Sequence, residues 1–220
     1  MIDEGYIKYQ CEWIKEDAIA FHTVSDLTRY RNALHQLHLI GEYPSGIGFG
    51  NISQKTGLPS SPIPTFVITG TQTGHLSTLS ATDYALVTDF NPAQNTLRCQ
   101  GLSKASSESL THGTIYSVHP GIGAIIHVHN AQLWKQLLYQ VPTTSADVPY
   151  GTPEMAAATQ QLFKETPLLQ QRIFVMAGHE DGVVAFGKTL QMAYRTLINW
   201  GMMIGIVSES ALQLPYQLLN

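Results

Sequence analysis

The side chains with the clearest chemical potential are His127 and His129, which close the segment Ala124-Ile-Ile-His-Val-His129. Its apolar, β-branched character predicts a strand. Side chains at i and i+2 of a strand share a face. Two imidazoles held this way can converge on one ion at ~2.0–2.1 Å each. Taken alone, an H-x-H pair is more often two hydrogen-bonded histidines than a metal site, so a third ligand must come from elsewhere. His179 is the best candidate, in the glycine-flanked turn Met176-Ala-Gly-His-Glu-Asp-Gly182. Loops placed by rigid strands often carry functional groups, although by itself His179 reads as an exposed turn histidine. Ser106-Ser107-Glu108 adds two hydroxyls and a carboxylate at an expected helix start. Exposed N–H groups there favour anions such as phosphate; plain helix capping is the alternative. His22, His35, His38, His75, His112 and His119 lack comparable context. His35 and His38 read as helix-surface residues, and His112, one turn after Glu108, as a packing or hydrogen-bonded residue.

The elements that must position these groups follow from periodicity and punctuation. Residues Asp3 to Ile19 mix charged and apolar side chains. A second helical segment is expected over Ser25–Ile40, with Leu27, Tyr30, Leu34 and Leu37 on one stripe and Ser25 as N-cap. Gly46 to Asn51 is glycine-rich and marks a turn or a close backbone approach. A strand is expected to start at Ile52. Strands are also expected at Thr65–Thr69, Tyr84–Thr88, Ala124–His129, Phe174–Met176 and Val183–Phe186. Helices are expected at Ser106–Tyr116, capped by Ser106 or Ser107, at Thr152–Phe163 with Pro153 in its first turn, and at Leu190–Met202. Interleaved strands and helices argue for a single α/β or α+β domain over residues 1–220.

Composition bounds the partners. The chain of 220 residues is 44% hydrophobic and 13% charged, against a typical charged fraction of ~25%. Sparse charge on so apolar a chain points to a surface partly covered by other subunits. The net charge is −4, with no cluster of Lys or Arg. That leaves no electrostatic footprint for nucleic acid or an anionic membrane. Cys11 and Cys99 form no zinc spacing and no disulfide framework. Met1-Ile-Asp-Glu4 shows no signal-peptide pattern. The apolar stretch Leu197–Val207 is too short for a bilayer span of ~20 residues. The expectation is a soluble cytoplasmic protein.

The pieces also occur in a recognisable order. Gly50-Asn-Ile-Ser53, Ile68-Thr-Gly-Thr-Gln-Thr-Gly74, Ser106-Ser-Glu108, His127-Val-His129, Gly151-Thr152 and His179 followed by Gly182 resemble the class II aldolase/adducin family, over roughly residues 27–200. The resemblance implies a three-layer α/β/α fold with a central, largely antiparallel sheet, and a homotetramer with sites near subunit interfaces. It implies that His127, His129 and His179 hold a divalent metal, usually zinc, and that Glu108 is the catalytic acid/base and can also coordinate the ion. It assigns Asn51, Thr71 or Thr73, Gly74, Ser106 and Ser107 to a phosphate cradle. The activity implied is that of a metal-dependent lyase, an aldolase acting on a small phosphorylated ketose through an enediolate. A sugar-phosphate dehydratase or 4-epimerase is the alternative within the family, and a non-catalytic adducin-like binding module the alternative outside enzymes.

Some positions depart from the family pattern. Glu180 and Asp181 separate the third histidine from its glycine and read as turn residues. The segment between His129 and Tyr150 is shorter than in sugar-phosphate aldolases, which there supply a tyrosine proton donor. Tyr150 is the nearest tyrosine, with its role open, and Lys104 is the only lysine near Ser106.

Overall fold

Ala124–His129 forms the strand that the rest of the chain is built around. In the computed structural model, which describes residues 6–17, 19–57 and 63–217, it lies between two antiparallel neighbours, Asn51–Thr56 and Gly182–Gly187. All six of its residues are buried. A strand covered on both faces can be apolar throughout, and this one is, up to its two histidines.

In chain order the elements are β1 (Gln10–Ile14), α1 (Phe21–Gln36), the short pair β2 (Gly41–Glu42) and β3 (Gly48–Phe49), β4 (Asn51–Thr56), β5 (Thr65–Thr69), β6 (Tyr84–Asn91), β7 (Thr96–Gln100), α2 (Ser109–Val118), β8 (Ala124–His129), α3 (Ala131–Leu137), α4 (Pro153–Glu165), α5 (Leu168–Gln171), β9 (Ile173–Val175), β10 (Gly182–Gly187), α6 (Leu190–Met203) and α7 (Leu214–Gln217). The main sheet has eight strands in the order β1-β7-β6-β5-β4-β8-β10-β9. Every pairing in it is antiparallel except β1 with β7.

Strand alternation divides the core into two layers. Ala124, Ile126 and Val128 of β8 pack with Val24, Leu27 and Leu34 of α1 and Leu197 and Ile198 of α6. Ile125 packs on the opposite face with Leu110, Ile115 and Tyr116 of α2 and Met155 of α4. The result is the expected three-layer arrangement around a largely antiparallel sheet. By the period of two, His127 and His129 lie on the face of Ile125, beneath α2. Among the described residues, no helix is long and apolar enough to cross a membrane.

Several local expectations are corrected. Within residues 3–19, Gln10–Ile14 is a strand: Tyr9, Cys11 and Trp13 pack inward while Gln10 and Glu12 are exposed. Residues 3–5 of that segment, and the N-terminal reading of Met1–Glu4, lie outside the described residues. α1 starts at Phe21, with Ala20 in the cap position, so Ser25 is not the cap; its hydroxyl donates to His22 O at 3.3 Å. The helix ends at Gln36 rather than running to Ile40, because His38 turns left-handed at φ 55° and the chain folds back, with Leu39 N donating to Leu34 O at 3.0 Å. His38 therefore lies past the helix end. α2 begins at Ser109, with Glu108 in the cap position. Ser106 and Ser107 lie in the preceding turn, closed by Ser109 N donating to Ser106 O at 3.0 Å. α4 starts as expected, Thr152 accepting from Met155 N at 3.3 Å ahead of Pro153. The two cysteines, far apart in sequence, meet on adjacent strands as free thiols, Sγ to Sγ 3.6 Å.

Candidate metal centre and anion cleft

β8 ends at His129 because Asn130 caps the next helix, its side chain accepting from Leu133 N at 2.8 Å. Both histidines are therefore delivered at the end of the strand. His179 arrives from the turn joining β9 to β10. His179 N donates to Met176 O at 3.1 Å, Gly182 N donates to His179 O at 3.0 Å, and Asp181 adopts the left-handed φ of 64°. Glu180 is exposed and Asp181 O accepts from Asn130 N at 3.0 Å, so both are turn residues.

The candidate ligand atoms of His127, His129 and His179 all lie within 4.8 Å of one another, and the three residues are buried. The two Nε2 atoms of His127 and His129 are 2.9 Å apart. Two imidazoles at that distance either share a proton or turn two lone pairs toward a common cation. First-row ions with bonds of about 2.0–2.1 Å space neighbouring ligands by about 3 Å. Burial, reinforced by His179, holds both rings well below the ordinary histidine pKa of 6.5. They are neutral at pH 7 and keep the lone pairs that ligation requires. The donor set thus fits a divalent ion.

Glu108 reaches the same point from the other side, its Oε1 3.5 Å from His179 Nδ1 and both side chains 3% exposed. The turn before it is tied to the sheet: Ser106 N donates to Thr69 O at 3.2 Å, and the Tyr9 hydroxyl lies 2.8 Å from Ala105 O and 3.1 Å from Ser106 O. Tyr150 is at the site too. Its ring stacks on His179 at 4.4 Å and 20°, its hydroxyl accepts from Tyr6 N at 3.3 Å, and Lys8 Nζ sits 3.9 Å from the ring centre. Lys104 is turned away, its Nζ 5.3 Å from the Trp13 ring.

Beside Glu108 is a cleft lined by Asn51, Thr71, Thr73, Ser106 and Ser107, together with Gly50 and Gly70. The buried Asn51 Oδ1 has no hydrogen-bond partner there. The cleft is tight, about 20 Å³, roughly room for one water. A phosphate fits only if its mouth opens. Gly74 does not line it: a Cβ there would collide with Gly41 O, so the residue serves the close packing of its loop on β2. That loop is held from beneath by the buried Arg31, which donates to Leu76 O, to Thr73 O at 2.8 Å and to Gly74 O at 3.2 Å. Sequence reasoning missed Arg31, whose only signal is a charge on the apolar stripe of α1. It also missed Tyr43, whose hydroxyl lies 2.8 Å from His129 Nδ1.

His112 packs under the site, its Nδ1 2.6 Å from Ser53 Oγ, and full burial pushes its pKa down to about 3. An unfolded chain binds that proton near 6.5. Between these values the unfolded state carries more protons, so stability falls as pH falls. Metal-free protein is therefore expected to lose urea resistance from pH 6.5 down to pH 3, and His112→Gln to flatten that slope; an unchanged slope contradicts this.

Gly182 has a steric task. A Cβ there would meet His179 O at 3.0 Å and His127 Cε1 at 3.2 Å. Gly182→Ala is expected to leave the fold intact but weaken zinc binding about tenfold, on the scale of lost ligand support. Calorimetric zinc titration checks this, and unchanged affinity would show that the histidines tolerate displacement.

Comparison with known proteins places the chain in a family and matches its fold. The model of the Class II Aldolase and Adducin N-terminal domain matches residues 45–201, more than half of the chain. The fold is similar to a sugar-phosphate aldolase from Thermotoga maritima, with TM-score 0.61 and 17% identity over 90% of this chain and 95% of that one. It is similar to an L-fuculose 1-phosphate aldolase, with TM-score 0.60 and 16% identity over 90% and 96%. YgbL, a candidate aldolase/epimerase/decarboxylase from Escherichia coli, matches with TM-score 0.58 and 20% identity over 83% and 86%. At these identities the solved structures speak for the fold alone, whereas the match to the family model is what places the sequence: this chain belongs to the class II aldolase and adducin N-terminal domain family.

Proposed function

We propose that this chain is a metal-dependent lyase, an aldolase acting on a small phosphorylated ketose. The observation that carries the reading is the convergence of Glu108 with His127, His129 and His179 beside the cleft of Asn51, Thr71, Thr73, Ser106 and Ser107. The three histidines would hold a divalent ion, and zinc, which takes three imidazoles and leaves a fourth position open, is the ion we propose. Such an ion would supply Lewis-acid stabilisation of the negative charge that develops on the substrate. Glu108 moves the proton, as base toward the carbanion-forming carbon and as acid in return. Its burial keeps bulk water from competing for that proton. Asn51, the Thr71 and Thr73 loop and the two serines orient the phosphate end, fixing the reacting carbon relative to the carboxylate. Gly74 contributes by seating the loop.

The phosphorylated sugar is supported by the similarity to a sugar-phosphate aldolase and an L-fuculose 1-phosphate aldolase. We further infer a single domain over residues 1–220, a homotetramer and a cytoplasmic setting. Incubating zinc-loaded protein with a panel of ketose phosphates tests the reading. The expected outcome is cleavage to an aldehyde and a shorter ketose phosphate. Stereochemical inversion without cleavage would indicate the epimerase, loss of water the dehydratase. No turnover together with no bound ion would point to an adducin-like binding module.

A further inference from the structure

A ligand histidine needs its second nitrogen settled as much as its first. His129 directs Nε2 toward the ligand cluster, 2.9 Å from His127 Nε2. Its Nδ1 faces the other way, 2.8 Å from the Tyr43 hydroxyl. A neutral imidazole carries one proton. If Nε2 keeps a lone pair for an ion, the proton sits on Nδ1 and must be donated. The Tyr43 oxygen is placed to accept it.

Tyr43 is held there by the hairpin that follows α1. Its N–H donates to Ile47 O at 2.9 Å, and its carbonyl accepts from Gly46 N at 2.9 Å, Gly46 taking the positive φ of 81°. Its ring packs on Phe49 at 4.6 Å, and Phe49 lies 5.7 Å from the His129 ring. The hairpin is docked onto the anion-side loop through Gly48 N, which donates to Gln72 Oε1 at 3.2 Å. It therefore forms the outer wall over His129, between the buried imidazole and solvent, and Tyr43 is only partly buried in that wall.

We propose that Tyr43 is a positioning residue of the metal centre: its hydroxyl accepts the Nδ1 proton of His129 and so fixes the tautomer and ring orientation that present Nε2 to the ion. The assignment rests on the metal reading above and adds to it a residue from outside the histidine motifs. Outer partners of ligand histidines tune affinity by about ten- to a hundredfold, which sets the expected effect.

The test compares wild type with Tyr43→Phe, which keeps the ring against Phe49 and removes only the oxygen. Zinc affinity is read by competition with a chromophoric chelator, and ligand geometry by the visible absorption of the cobalt-substituted protein. The expected result is a zinc affinity lowered about ten- to a hundredfold with an altered cobalt spectrum. Tyr43→Gln, which returns an acceptor oxygen, should recover part of the loss; because both variants are compared with the thermal melting of their metal-free forms, a global folding defect is separated from a local one. Wild type binding zinc while Tyr43→Phe matches it in affinity and spectrum overturns the Tyr43 assignment alone. Wild type taking up no zinc or cobalt overturns the metal reading and this assignment with it.

Discussion

His179→Ala is expected to cost the protein its ion. The three imidazoles form a set with all ligand atoms inside 4.8 Å, and removing one leaves the two histidines of β8 with only the Glu108 carboxylate near them. Two neutral imidazoles hold a divalent ion far more weakly than three. Zinc affinity should fall by more than about a hundredfold, a loss larger than that of an outer partner, and turnover should fall to background. The same substitution removes the ring on which Tyr150 stacks, so a modest drop in melting temperature accompanies it. Metal content after dialysis against zinc checks the expectation. Full retention of the ion would mean that His179 is a turn residue and not a ligand.

Glu108→Gln separates the ion from the proton. The amide keeps the shape of a side chain that is only 3% exposed, so packing at the start of α2 survives. It cannot take or return a proton. Turnover should fall by about 10²–10⁴, while zinc remains bound. The pairing of outcomes is diagnostic: the histidine variant loses ion and activity together, the glutamine variant activity alone. Glu108→Gln with full turnover and metal bound would remove Glu108 from the chemistry and leave the histidines standing.

How much of this could be read from residues alone depended on the length of the signal. Ala124–His129 and Thr65–Thr69 are uninterrupted apolar or β-branched runs, and both strands fall on the expected residues. β1 and β7 carry an alternation only five residues long, with Cys11 and Trp13 inward on one, Leu97 and Cys99 on the other. Set among charged neighbours, so short an alternation is easily overlooked, and what fixes β1 is a parallel partner more than eighty residues away in the chain. The ends of helices misled for a related reason. Ser25 has the chemistry of a cap, but burial of Val24 and Leu27 draws α1 back to Phe21, where no side chain caps it.

The site divides in the same way. The H-x-H pair, the glycine-flanked His179 and the Ser106-Ser107-Glu108 turn were visible because each pairs a chemical group with a local backbone demand. Their convergence followed only from the family resemblance and not from the residues themselves, since it depends on the register that sets Asn51 opposite His127 and Gly182 opposite His129. Tyr43, Lys8 and Arg31 act across the fold, from a hairpin, the segment preceding an edge strand and a buried helix face, and none sits in a motif. Gly74 was legible as necessary, yet its need is the contact with Gly41 and not a place in the cleft lining.

Everything proposed for the site depends on three histidines of one chain forming a metal centre. Metal analysis of protein dialysed against zinc and then freed of loose ions, set beside the His127→Ala/His129→Ala/His179→Ala variant, tests it most directly. A three-imidazole site predicts about one tightly held ion per wild-type chain and none in the variant. A wild-type chain that holds no ion, or a variant that holds as much as wild type, would contradict it.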